Sequence, residues 1–164
     1  MHYHTSRENL KIRDAVVQDI PLILHFIKET AEYEKLGDTV IATEESLTKA
    51  IFHDKNVEVI IAELNNEPIG YALYFYNFST FTGQSGLYLE DIFVKESVRG
   101  TGIGKILFKC VVNIARKKNC ITMDWACLTW NKPSIKFYES LGAHKLTEWT
   151  NFRLAKTEME SLIK

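Results

Sequence analysis

Arg99-Gly100-Thr101-Gly102-Ile103-Gly104 lies between an apolar, strand-like run, Leu87 to Val94, and a helix-patterned run, Ile103 to Lys118. Strand, glycine-rich turn and helix in that order build an anion site. The turn's backbone N–H groups converge on one point, and the helix dipole favours negative charge there. Glycine lets the backbone come close to a phosphate. Two common phosphate motifs do not fit. A P-loop ends in Gly-Lys-Ser/Thr, but here Gly104-Lys105 is followed by Ile106, so no hydroxyl is placed for magnesium. A dinucleotide fingerprint needs Gly-x-Gly-x-x-Gly near the start of a βαβ fold, whereas this Gly-x-Gly-x-Gly lies past mid-chain. The pattern that fits is Arg/Gln-x-x-Gly-x-Gly/Ala, read as Arg99, Gly102 and Gly104. A plain tight βα turn is the competing reading. Glu90 and Asp91 just before the turn, and Trp130-Asn131-x-Pro133-Ser134-x-x-x-Tyr138 after it, sharpen the first reading.

Outward from this stretch, the 164 residues suffice for one domain with a sizeable core. Apolar content of 46% and charged content of 25% are those of a globular protein. A formal net charge of −1 supplies no field for nucleic acid or membrane. Cys110, Cys120 and Cys127 suit neither a zinc site nor a disulfide framework and read as free thiols of a reducing cytoplasm. No apolar run is long enough for a membrane span, and Met1 to Arg7 lacks a signal-peptide core. His2 and His4 read as part of a flexible segment, residues 1–9, rather than as a metal pair.

Leu10 to Arg13 alternates as a short strand. Asp19 is placed to cap a helix with Pro21 in its first turn, running to about Tyr33 on an apolar face of Leu22, Ile23, Phe26 and Ile27. Thr43 with Glu44 and Glu45 starts a second helix, to about His53. Val57–Leu64, Ile69–Phe78 and Leu87–Val94 form an antiparallel meander, with a turn at Asn65 to Pro68 and a loop from Ser79 to Gly86. Ile103, Leu107, Val111 and Ile114 mark the next helix. Ile121–Cys127 reads as a strand, Pro133–Leu141 as a helix stopped by Gly142, Ala143–Leu154 as strand-like, and the rest as a helical tail. The expectation is one α/β domain over residues 10–164: an antiparallel meander, then a βαβ unit.

Three segments together carry a resemblance: Leu87-Tyr88-Leu89-Glu90-Asp91-Ile92-Phe93-Val94, Arg99 to Gly104, and Trp130-Asn131-Lys132-Pro133-Ser134-Ile135-Lys136-Phe137-Tyr138. They are similar to the GCN5-related N-acetyltransferases, in the diamine (spermidine/spermine) and thialysine N-acetyltransferase branch, and the similarity runs from Ile12 to Arg153. The resemblance implies an α/β fold with a mixed, mostly antiparallel twisted sheet, flanked by helices and splayed to form an acetyl-CoA cleft. It implies direct attack of a primary amine on acetyl-CoA, with no metal, in a cytoplasmic homodimer that engages neither nucleic acid nor membrane. The co-substrate would be held by the backbones of Ile92, Phe93 and Val94 against pantetheine, by Arg99, Gly100, Thr101, Gly102, Ile103, Gly104 and Lys105 at the pyrophosphate, and by Asn131, Lys132, Pro133, Ser134 and Tyr138.

Transfer requires a neutral amine, although a lysine-like amine has a pKa of about 10.4, and a proton for the departing thiolate. The resemblance implies Glu90 as base, through a water, and Tyr138 as acid. The bland alternatives are a solvated strand residue and a core aromatic. Strand alternation points Asp91 away from Glu90, leaving it a supporting or structural role. The resemblance places Tyr33, Glu34, Glu90, Asp124, Trp125 and Ala126 along the amine cleft. From Glu29 to Glu45 six acidic residues accompany one basic residue, Lys35, a run that suits a cationic acceptor or merely a solvated helix face. Polyamine-preferring members carry an acidic residue in the loop where this chain reads Asn77-Phe78-Ser79-Thr80-Phe81. That departure favours a thialysine-like acceptor over spermine. Acetylation of protein amines and a non-catalytic acyl-CoA-binding module are the rival functions.

Overall fold

The structure is a computed structural model and describes residues 1–164 except His4 and Ser6, so the expectation for His4 lies outside the described residues. Cα packing divides the chain into two compact units, Met1–Ala126 and Cys127–Lys164.

The first unit is built on a sheet that has, among the described residues, six strands in the order β1-β2-β3-β4-β5-β6. They are β1 (His2–Tyr3), β2 (Leu10–Asp14), β3 (Glu58–Leu64), β4 (Glu67–Ser79), β5 (Gln84–Val94) and β6 (Met123–Asp124). Neighbours are antiparallel up to β5, and β6 joins β5 in parallel. The parallel pairing spans Leu87↔Met123 and Tyr88↔Asp124, and β5 then runs on to Val94 without β6 beside it. The sheet is therefore splayed on that side from Leu89 onward.

Helices α1 (Ile20–Tyr33) and α3 (Ile103–Lys117) cover the two faces. One core joins Ile20, Ile23 and Phe26 of α1 to Val59, Ile61, Tyr71, Leu73 and Phe93 of the sheet. Alternation sends Ile60, Ala72, Tyr74, Leu87 and Leu89 to the other face, where α3 buries Ile103, Leu107, Phe108, Val111 and Ile114. Where β4 passes β5, Gly70 is required. A Cβ there would run into the Phe93 carbonyl and the Val94 backbone.

The helix α2 (Glu44–Thr48) starts at Thr43, whose hydroxyl accepts from Ser46 N–H at 3.1 Å, and continues as a π-type turn to His53. In the second unit, α4 (Lys132–Ser140) and α5 (Lys156–Leu162) match the expected helices within a residue or two.

Four expectations are corrected. Asp19 precedes α1, but its side chain makes no cap bond. It is held by Arg13 at 2.6 and 2.9 Å and accepts Val16 N–H at 2.8 Å. The Ser79–Gly86 loop shrinks to a tight turn, because Phe78↔Ser85 and Ser79↔Gln84 still pair; polar residues extend an exposed hairpin as readily as they form a loop. The strand at Ile121–Cys127 is reduced to two residues, since only two find ladder partners on β5. Ala143–Leu154 forms no strand. It leaves Leu146, Trp149, Phe152 and Leu154 exposed, for an alternating pattern makes a strand only where a neighbour takes its N–H and C=O groups.

Arg13 ties β2 to Asp19 and, at 2.8 Å, to Glu63 of β3. Burial alone would raise the Asp19 carboxyl, but the Arg13 hydrogen bonds, the Val16 N–H and the guanidinium charge outweigh it and hold it below the usual range. Asp19→Asn should cost about 2 kcal/mol at pH 7, because it removes one of the two carboxylates that neutralise a part-buried guanidinium and leaves Glu63 alone to do so. A carboxyl whose folded pKa is depressed stabilises above its unfolded value of about 3.9 and stops doing so as pH falls through the folded value. Urea unfolding of wild type and variant should therefore show the difference narrowing below about pH 4.

Candidate active site

A bulge organises the acidic groups. Along β4 and β5 the register runs Tyr71↔Phe93, Ala72↔Ile92, Leu73↔Asp91, then Tyr74↔Leu89, so Glu90 is the extra residue. One inserted residue reverses the alternation downstream of it. Asp91 and Tyr88, three apart, consequently share the α1 face, with Phe93 beyond them. Without the bulge, Asp91 would lie on the face of Leu89, under α3.

On the α1 face Asp91 lies within electrostatic reach of Glu34, the residue that ends α1. The helix end sets the position of Glu34. Lys35 takes φ +61°, Lys35 N–H bonds to the Glu32 carbonyl at 3.0 Å, and Leu36 N–H reaches back to Ala31 at 2.8 Å. This is a Schellman closure with lysine in the place glycine usually takes. Burial, then the charge of Asp91, raises the Glu34 carboxyl above its ordinary range. Burial raises Asp91 as well, against the hydrogen bond it accepts from the Tyr71 hydroxyl at 2.9 Å. Burial, then the charges of Glu90 and Asp124, raise the Tyr88 phenol. Glu90 is exposed, and Asp124 accepts from the Thr122 hydroxyl at 3.1 Å. Glu90 and Asp124 thus act on Tyr88 where β5 and β6 separate. Nothing in the sequence marks Tyr71 among the aromatics of β4, and the bulge that turns Asp91 toward α1 has no residue signature of its own.

Of the other expected cleft residues, Tyr33 is 39% exposed and lies under the Arg99 guanidinium, 4.6 Å from the ring centroid. Trp125 packs edge-on against Phe108 of α3, centroids 5.3 Å apart, and Ala126 is exposed. A cavity of about 520 Å³ lies between α1 and the end of β5, lined by Glu29, Glu32, Tyr33, Phe93, Glu96 and Arg99 among others. Glu34, Glu90 and Asp91 are not among its lining residues.

The anion turn is formed as its glycines require. Gly100 and Gly102 have φ of +76° and +86°, and α3 starts directly after Gly102. The first N–H groups of α3 have no acceptor within the helix. Arg99 does not reach into the turn. Its Nε donates to the Val94 carbonyl at 3.0 Å, and its guanidinium lies 5.5 Å from the Phe93 ring centroid. Arg7 braces the turn from the N-terminal segment, donating to the Thr101 carbonyl at 3.0 Å. Phe93 and Ile103 send their side chains into the core, which leaves their backbones to serve the turn and the splayed edge.

In the second unit, Asn131 is 5% exposed and caps α4, its Oδ1 accepting from Ser134 N–H at 3.3 Å. Lys132 and Pro133 fill the first turn, and Tyr138 is half-buried beside Phe137. Gly142, at φ +91°, closes the helix as Ala143 N–H bonds to the Tyr138 carbonyl.

Splayed sheet, bulged β5 and a glycine turn at a helix start define an acyl-CoA-dependent transferase. The chain belongs to the acetyltransferase (GNAT) family, whose model matches residues 23–143. It is 41% identical to a thialysine N-epsilon-acetyltransferase of Sus scrofa, covering 92% of this chain and 95% of that protein. It is 34% identical to the spermidine/spermine N(1)-acetyltransferase-like protein 1 of Homo sapiens, covering 94% of this chain and 24% of that one. A solved integron cassette protein from the mobile metagenome of V. cholerae superposes with a TM-score of 0.79 at 29% identity, covering 96% and 99% of the two chains. No helix among the described residues is long and apolar enough to cross a membrane, and no cluster among them is set to hold a metal.

At Gly102 a Cβ would meet open space but would be forced into the left-handed region. Gly102→Val should therefore fold yet abolish calorimetric binding of CoA. Forcing a β-branched residue to positive φ costs about 1–3 kcal/mol or moves the turn's N–H groups.

Proposed function

We propose that this N-acetyltransferase acts on a primary amine of a small diamine, polyamine or lysine analogue, and that a thialysine-like amine is preferred over spermine. The observation that carries this reading is the nearness of Glu34 to Asp91 on the α1 face of the splayed strands, seconded by the charges of Glu90 and Asp124 about Tyr88. Paired, partly desolvated carboxylates suit an ammonium group and discourage an anionic acceptor. The relatives' names, one a thialysine and one a spermidine/spermine acetyltransferase-like protein, support the same class.

In this reading the N–H groups from Gly100 to Lys105 hold the pyrophosphate, and the open edge of Ile92 to Val94 receives the pantetheine arm as an added strand. Glu34 and Asp91 hold the incoming ammonium, and Glu90 at the bulge takes its proton through water. The freed amine attacks the thioester carbonyl directly. As the C–S bond breaks, Tyr138 gives its proton to the departing sulfur and the nitrogen's second proton restores the phenol, on the strength of the spacing of Tyr138 from Asn131. The remaining assignments follow the resemblance: a single acetyltransferase domain over residues 10–164, a homodimer, and cytoplasmic residence, which the free thiols of Cys110 and Cys120 suit.

The last residue of β4, Ser79, and the turn that starts at Thr80 carry no carboxylate for a distant second ammonium. An exposed charge contact is worth about 0.2–1 kcal/mol, so the preference should be a few-fold to about tenfold. CoA release measured with thialysine, putrescine, spermidine and spermine should show kcat/KM highest for thialysine or the short diamine. A spermine preference would sink the thialysine assignment, and no release with any amine would sink the proposed acceptor class. Tyr138→Phe should retain CoA affinity and lose about 10²–10⁴-fold in kcat; a near-normal kcat would reduce Tyr138 to a packing role.

A further inference from the structure

Tyr71 is 0% exposed, and its ring is fixed on two sides. It stacks on Phe26, centroids 5.6 Å apart at 11°, and leans on Phe93 at 6.5 Å. Phenylalanine would satisfy that packing equally well, so the hydroxyl calls for its own account. Two oxygens lie near it, Asp91 Oδ2 at 2.9 Å and Thr30 Oγ1 at 3.5 Å. The Thr30 proton is already given to the Phe26 carbonyl at 2.8 Å. The phenol's single proton therefore goes to Asp91, and donation to a carboxylate favours its charged form.

We propose that Tyr71 is a positioning residue for acetyl transfer: its buried hydroxyl fixes the Asp91 carboxylate beside Glu34 and keeps it charged to meet the ammonium group of the acceptor. The role rests on the proposed reading of Glu34 and Asp91 as the amine site. Burial drives Asp91 toward protonation, its charge drives Glu34 the same way, and a pair that shares a proton has lost one of its two charges. Tyr71 opposes that from β4, at the one point where the carboxylate meets the core. The charged and titratable groups around the cluster are Glu34 at the end of α1, Glu90 and Tyr88 on β5, Asp124 on β6, and Lys95 and Arg99. Lys95 lies over the Phe26 ring and Arg99 over Tyr33 and Phe93, so neither cation stands in the place of the phenol.

Tyr71→Phe keeps the ring and removes the hydroxyl. Tyr74→Phe is the matched control. It is equally buried, its hydroxyl donates to Glu58 at 3.0 Å, and it sits on the α3 face. Two measurements are made on each variant. One is the Asp91 titration in the resting protein, followed by side-chain carboxyl ¹³C NMR. The other is the pH profile of kcat/KM for an amine that the unmodified protein accepts. In Tyr71→Phe the Asp91 midpoint should rise by about one unit, the scale of one hydrogen bond to a charged group, and the acid limb of kcat/KM should rise with it. KM for the amine should increase more than kcat falls, and Tyr74→Phe should move neither midpoint nor limb. An unmoved Asp91 midpoint and acid limb, in a protein that acetylates amines, would overturn the role and leave the proposed function standing. An unmodified protein that releases no CoA with any amine would overturn the function and this role with it.

Discussion

One extra residue in β5 sets the electrostatics of the molecule. Strand alternation is rigid, so a carboxylate two residues from a core leucine belongs under the same helix as that leucine. Leu89 and Asp91 stand in that relation, and both cannot be satisfied there. The bulge at Glu90 resolves the conflict by reversing the phase between them: Leu87 and Leu89 stay in the α3 core, while Asp91 turns to α1 and Glu34. Bulges also bend a strand and increase its twist. The bulge lies just past the last β5–β6 pair, and beyond it β5 runs on with its outer edge open. Polar face and open edge therefore begin at the same point in the chain.

The α1 face is held so that this arrangement persists. Phe26, Tyr71 and Phe93 form one aromatic cluster between helix and sheet, and the Arg13–Asp19–Glu63 network fixes the start of α1 to β2 and β3. The far end of α1 closes on Lys35 in the left-handed region, a conformation that costs lysine more than glycine. That closure points Glu34 back at the sheet. Both ends of α1 thus depend on residues that a propensity scale would pass over, and the cost is borne beside the acidic pair. Backbone strain and partly buried carboxylates are thereby concentrated at one place.

Much of this was legible along the chain. The helices, the meander, the anion turn and the acyltransferase resemblance all follow from local signals: apolar period, cap residues, glycines, and the Asn131-to-Tyr138 spacing. Local signals fail where an element exists only through its partner. Ala143–Leu154 has a strand's pattern and no ladder, and Ser79–Gly86 has a loop's composition inside a paired hairpin. Asp19 has a cap's identity and a salt bridge's occupation.

The sequence by itself determined the fold class, the family, and the glycine turn at the start of α3, because glycines, periodicity and short motifs act over a few residues and need no distant partner. Only the tertiary structure decided which carboxylates meet. Glu34 and Asp91 are 57 positions apart in the chain, and their encounter depends on a bulge register between β4 and β5 and on a helix end that no local pattern encodes. The same holds for Tyr71. Its ring is one of several aromatics on β4, and its hydroxyl acquires meaning only because folding buries it against the single carboxylate that the bulge has turned inward.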